Sequence, residues 1–118
     1  YGTLNSLGAR PPSYSLIDSS TTTPLIFRVG VRNIALSSID ITWRTDKLSD
    51  STIYYSSTYP LKIDKATKRT SLSLTTSHVI SISGLSSGTL HHFVVVSKDP
   101  SGNFATSSAY SFNTLPPK

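Results

Sequence analysis

Histidine carries much of the acid–base and metal chemistry that proteins perform near neutral pH, and the 118-residue chain has three: His78, His91 and His92. His91 and His92 are neighbours in an alternating apolar stretch. Adjacent residues of a strand point to opposite faces, so the two cannot hold one ion together. The chain has no Cys and no Glu to complete a ligand set around any of the three, and no metal site or cofactor is expected. Ser, His and Asp are all present, but neither a nucleophile-elbow motif nor a Gly-rich phosphate loop occurs. No catalytic residue is assigned, and the chain does not read as an enzyme. Asp99-Pro100-Ser101-Gly102-Asn103 offers the oxygens that calcium takes. Its order is also that of a turn, with Asp at the start, Pro next, and Gly where the backbone needs a positive φ. The turn is the reading adopted.

Two groups of residues suggest binding. Eleven basic residues against six Asp give a formal net charge of +5, spread along the chain except for the run Lys62, Lys65, Lys68 and Arg69. Such a run commonly serves as a solvated loop or an edge that discourages sheet-to-sheet pairing. It would also suit a polyanion such as an acidic polysaccharide. No aromatic series or nucleic-acid motif accompanies it, and nucleic acid is not an expected partner. The second group is Tyr54, Tyr59 and Phe104, placed at outward or loop positions by strand alternation, where they could meet a protein or a sugar. Cross-strand pairing would account for them equally well.

The elements that position these residues are strands. From Ser77 to Thr114 the chain alternates, breaks at Gly84, alternates, breaks at residues 99–103, and alternates again. This describes three strands and two turns. The middle one carries His91, Phe93 and Val95 on one face and His92, Val94 and Val96 on the other, which suits a strand with neighbours on both sides. Upstream, Leu25 to Val31 reads as a strand kinked at Gly30. Ile39, Ile41 and Trp43 alternate inward, with the only Trp at the core centre. Residues 45–51 read as a polar turn, and Ile53 and Tyr55 point inward with Tyr54 outward. Pro60 limits a strand around Leu61 to Lys65 to an edge. Thr70 to Leu74 alternates, and Ile80 and Ile82 face the core. The 23 Ser and 15 Thr, with no Glu, Gln or Met, favour strands and turns over helices.

Residues 1–23 differ, because Gly2, Gly8, Pro11, Pro12 and the run of Ser and Thr at 19–23 interrupt any period. They read as an extended arm or linker ahead of a domain at 24–118. Tyr14, Leu16 and Ile17 within it could add as a strand to another subunit's sheet edge. No stretch approaches the roughly 20 apolar residues needed to span a bilayer.

About seven short strands with closely spaced turn signals predict an all-β, immunoglobulin-like sandwich. The pattern from Pro24 through Ile41-Thr42-Trp43-Arg44, Ile53-Tyr54-Tyr55, His78-Val79-Ile80-Ser81-Ile82-Ser83-Gly84-Leu85, Gly88-Thr89, Gly102-Asn103 and Phe112-Asn113-Thr114 resembles a fibronectin type III domain of the prokaryotic surface or secreted type. The chain departs from it at the corner before the middle strand, where His91 takes the place of the usual Tyr, and it has no Arg-Gly-Asp tripeptide. The resemblance implies a non-enzymatic extracellular or cell-surface module, structural or adhesive, whose partners are neighbouring domains or further copies of itself. One form of this is a subunit of a surface filament that docks through its arm. The alternative is an accessory domain of a secreted hydrolase, serving as a spacer or binding polysaccharide.

Overall fold

A computed structural model describes residues 22–117. Six antiparallel strands form in chain order: β1 (Ile26–Arg32), β2 (Ile39–Ser56), β3 (Thr67–Ile82), β4 (Leu90–Lys98), β5 (Phe104–Thr106) and β6 (Tyr110–Asn113), with one 3₁₀ turn at Ile63–Lys65. β2 and β3 are long because each serves twice. The first half of β2 lies between β1, where Val31 faces Ile41, and the end of β3, where Ile80 faces Ile41 from the other side. After register shifts between Arg44 and Ser51, its second half lies between the start of β3 and β4, with Thr52 opposite both Thr70 and Val96. β5 and β6 then pair with β4. The sheet thereby curls on itself into two facing layers, and the seven or so strands expected from the sequence are here partly fused end to end.

The core lies between the layers. Ile39, Ile41, Trp43, Ile80 and Ile82 from one pack on Ile53, Tyr55, Phe93, Val95 and Phe112 from the other. Each fully buried side chain of this size contributes about 1.5–3 kcal/mol relative to exposure. The inward positions expected of β2 and β3 are all buried, and Trp43 is 1% exposed at the centre. β4 has neighbours on both sides, as its two apolar faces require. At the corner before it, His91 is buried, donates from Nε2 to the Ser86 carbonyl at 3.2 Å and stacks on Phe112 at 5.2 Å. The imidazole thus bonds back to upstream backbone from this corner. The turn at residues 99–103 is also as expected. Gly102 has φ +91°, and the Asp99 carboxylate accepts from the Ser101 and Asn103 amides at 3.0 and 2.9 Å.

Three local expectations are corrected. Residues 45–51 are strand with a bend, not a polar turn, and Thr45, Ser49, Asp50 and Ser51 are buried there. No edge strand forms at Leu61 to Lys65; the chain makes the 3₁₀ turn, closed by Lys65 N–H donating to the Lys62 carbonyl at 2.9 Å. The irregularity in β1 lies before Gly30, where Arg28 adopts φ +56° and the register shifts between Phe27 and Gly30. Tyr14, Leu16 and Ile17 fall outside the described residues.

Candidate functional site

One histidine stands among hydroxyl groups, and that cluster is buried. His78, read from sequence only as the start of a strand, is 1% exposed and lies parallel to Trp43 at 4.9 Å. Its Nδ1 is 2.6 Å from Ser51 Oγ and its Nε2 is 2.8 Å from Thr45 Oγ1. Thr45 Oγ1 also donates to the Lys47 carbonyl at 2.8 Å, and Ser49 Oγ donates to Thr45 Oγ1 at 3.2 Å. A neutral ring with its proton on Nε2 satisfies both nitrogens, donating to Thr45 and accepting from Ser51. Burial lowers the His78 pKa from its ordinary 6.5, against the opposing pull of the Asp50 charge. A hydroxyl beside an imidazole resembles an activated nucleophile, but Ser51 is 4% exposed and Thr45 3%. No substrate reaches them, and the cluster acts as a polar rivet within the core. Trp43 extends it, donating from Nε1 to Ser97 Oγ at 2.9 Å.

Among the described residues no group of three or more His, Cys or Asp is placed to hold a metal ion. In the 99–103 turn, Asp99 Oδ1 receives two backbone amides while Oδ2 takes Asn103 Nδ2 at 3.1 Å and the Lys47 ammonium at 3.2 Å. The oxygens that suggested calcium are directed to these donors.

The accessible features among the described residues include three concave surfaces. The first lies on the outer face of the larger layer, a shallow groove of about 240 Å³. Tyr54 and Thr52 from β2, Lys68, Thr70 and Leu72 from β3, Val96 and Lys98 from β4, and Phe104 from β5 converge on it. Cross-strand register sets the arrangement, with Tyr54 opposite Lys68 and Lys98 opposite Phe104. The Lys68 ammonium stands 5.9 Å from the Tyr54 ring centre. Leu72 is 79% exposed and Phe104 58%. Strand alternation pointed to Tyr54. Leu72 was not singled out, because alternation shows that two residues share a face without showing which face is covered.

The second is a pocket of about 350 Å³ lined by Ser56, Thr58, Tyr59, Pro60, Lys62 and Lys65. Tyr59 is 75% exposed and leans on His92 at 5.0 Å and 47°. The structure therefore divides the basic run: Lys62 and Lys65 join Tyr59, Lys68 joins Tyr54 and Phe104, and alternation along β3 sends Arg69 to the other side of the strand. The third is a groove of about 410 Å³ between the start of β1, including Pro24, Ile26 and Val29, and the β5–β6 edge, including Thr106, Ser107 and Tyr110.

Two packed antiparallel layers whose hydroxyl–imidazole cluster is closed to solvent define an immunoglobulin-like β-sandwich. Solved structures narrow this to the fibronectin type III fold. The third fibronectin III domain of human KIAA0343 protein matches with TM-score 0.59 and 18% identity, over 92% of this chain and 96% of that one. The chicken CNTN1 FN1-FN3 domains match with TM-score 0.61 and 19% identity, over 81% of this chain and 33% of that one. A myokine structure matches with TM-score 0.65 and 18% identity, over 81% of this chain and 99% of that one. No protein-family model and no curated protein matches the sequence. Domains of this fold are generally non-enzymatic modules.

Proposed function

We propose that this chain is a non-enzymatic structural and adhesive module of an extracellular or cell-surface protein, and that it holds a protein partner on the outer face of its larger layer. The observation that carries this reading is the placement of Leu72, Phe104 and Tyr54 together on an open sheet face, with Lys68 and Lys98 at its margins. Exposed apolar side chains ringed by charge mark interaction sites, and the two ammonium groups favour a partner with acidic residues around an apolar centre. Peptides selected on the immobilised chain from a displayed random library should combine apolar residues with Asp or Glu. They should lose about tenfold or more in affinity on Leu72→Asp with Phe104→Ser. Both side chains are exposed, and thermal unfolding of the variant should match the parent. Selected peptides that bind the folded variant as well as the parent would refute the face as the site.

Self-assembly is a second reading, favoured by the groove between β1 and the β5–β6 edge. Strand edges leave main-chain donors and acceptors for an added strand. The segment with Tyr14, Leu16 and Ile17, supplied by a neighbouring copy, would occupy it and build a head-to-tail filament. Light scattering of the chain with and without residues 1–21 separates the outcomes. Oligomers that vanish on deletion support the filament, and a monomer in both cases excludes it. An accessory role beside a secreted hydrolase would use the same sandwich as a spacer or a polysaccharide contact.

A further inference from the structure

We infer that the pocket beside the 3₁₀ turn is a binding site for an acidic sugar, a pyranose carrying a carboxylate or sulfate group. Its chemistry comes in three parts that few other ligands would use together. Tyr59 offers a broad aromatic face, 75% exposed and propped by His92 at 5.0 Å, suited to the C–H face of a sugar ring. Ser56 and Thr58 line the same pocket. Ser56 Oγ accepts the Thr58 amide at 3.0 Å, which orients the oxygen and leaves its proton to donate elsewhere. Lys62 and Lys65 supply positive charge. The 2.9 Å bond from Lys65 N–H to the Lys62 carbonyl closes the turn, and both residues line the pocket.

The charge is not spent internally. No ion pair engages either ammonium among the described residues, and no carboxylate lines the pocket; Asp64, between the two lysines in sequence, is absent from the wall. At about 350 Å³ the cavity falls within the range of small-molecule sites. A lysine edge that merely deterred sheet pairing would need neither an aromatic platform nor a concavity. Arg44 on β2 and Arg69 on β3 are exposed and lie outside the pocket, and they supply an internal control for charge alone.

The test uses the full chain with four probes at fixed ionic strength: oligogalacturonate, a sulfated chondroitin oligosaccharide, neutral dextran and polyphosphate. The acidic oligosaccharides should bind and dextran should not, and the stronger of the two identifies the acidic group. Tyr59→Ala and the pair Lys62→Gln with Lys65→Gln should each weaken binding about tenfold or more, while Arg44→Gln with Arg69→Gln should leave it within about twofold. All these side chains are exposed, so the variants should unfold at the parent temperature. Absence of acidic-sugar binding would overturn the assignment. So would binding that polyphosphate matches and that survives Tyr59→Ala, which would reduce the site to a general attraction between opposite charges.

Discussion

Replacing Trp43 by Ala is expected to remove about 3–5 kcal/mol of folding stability, read as a shift of the denaturant midpoint at unchanged slope. The indole is 1% exposed at the centre of the sandwich, and three losses coincide on its removal. A large cavity opens between Ile41 and Ile82 on one layer and Phe93 and Val95 on the other. Ser97 Oγ, fully buried, loses the Nε1–H that donates to it at 2.9 Å, and an unpaired buried polar group costs about 1–3 kcal/mol. His78 loses the ring parallel to it at 4.9 Å. Domains commonly have only about 5–15 kcal/mol in total, so the variant should be at or near the limit of folding. Trp43→Phe keeps most of the volume but not the donor. It should recover a large part of the loss and leave a residue attributable to Ser97. A Trp43→Ala variant as stable as the parent would mean that the core is not centred here.

His78 should make stability depend on pH, in a direction set by burial. Its pKa in the folded chain lies below the ordinary 6.5. Well above pH 6.5 the ring is neutral in both folded and unfolded chains. Below it the unfolded chain binds a proton that the folded chain resists, and stability declines until pH passes the folded-state value. The unfolding midpoint should therefore fall between about pH 7.5 and pH 5. Asp40 acts in a separate window. Hydrogen bonds from Ser81 and Asn33, with the Arg32 charge assisting, hold its carboxyl below the usual 3.8. Its contribution is lost only as pH falls through that lower value. His78→Leu should abolish the decline near pH 6. It should also destabilise the chain at pH 7.5 by about 1–3 kcal/mol for the buried Ser51 hydroxyl left without its partner, while Thr45 keeps its bonds to the Lys47 carbonyl and Ser49. A proton-coupled nitrogen spectrum of the parent should place the ring proton on Nε2. An unfolding midpoint that is flat across the interval would refute the buried neutral ring.

The same cluster shows where sequence reading succeeds and where it stops. β4 was legible because both of its faces are apolar, and period-two alternation needs no knowledge of partners. His91 was legible because its corner is local: the carbonyl it reaches belongs to Ser86, five residues upstream. Residues 45–51 were misread because polar composition looks like exposure until the partner is known. Thr45 and Ser51 are buried against His78, 33 and 27 residues away, and no local pattern carries that information. The binding surfaces divide in the same way. Tyr54 and Tyr59 could be singled out one by one, but their companions come from β3, β4, β5 and the 3₁₀ turn, and only the fold sorts the basic run into two neighbourhoods.

β2 belongs to both layers, and so does β3. Were the proposed surface role to place this module under tension, its backbone continuity would have a mechanical meaning. A sandwich of separate sheets can peel layer by layer, whereas an opening that began at β1 would here be handed along one uninterrupted strand to β4. The domain would then act as a single breakable link, releasing roughly 300 Å of chain at about 3.3–3.6 Å per residue when it yields, and a tether built from such links would lengthen in whole-domain steps.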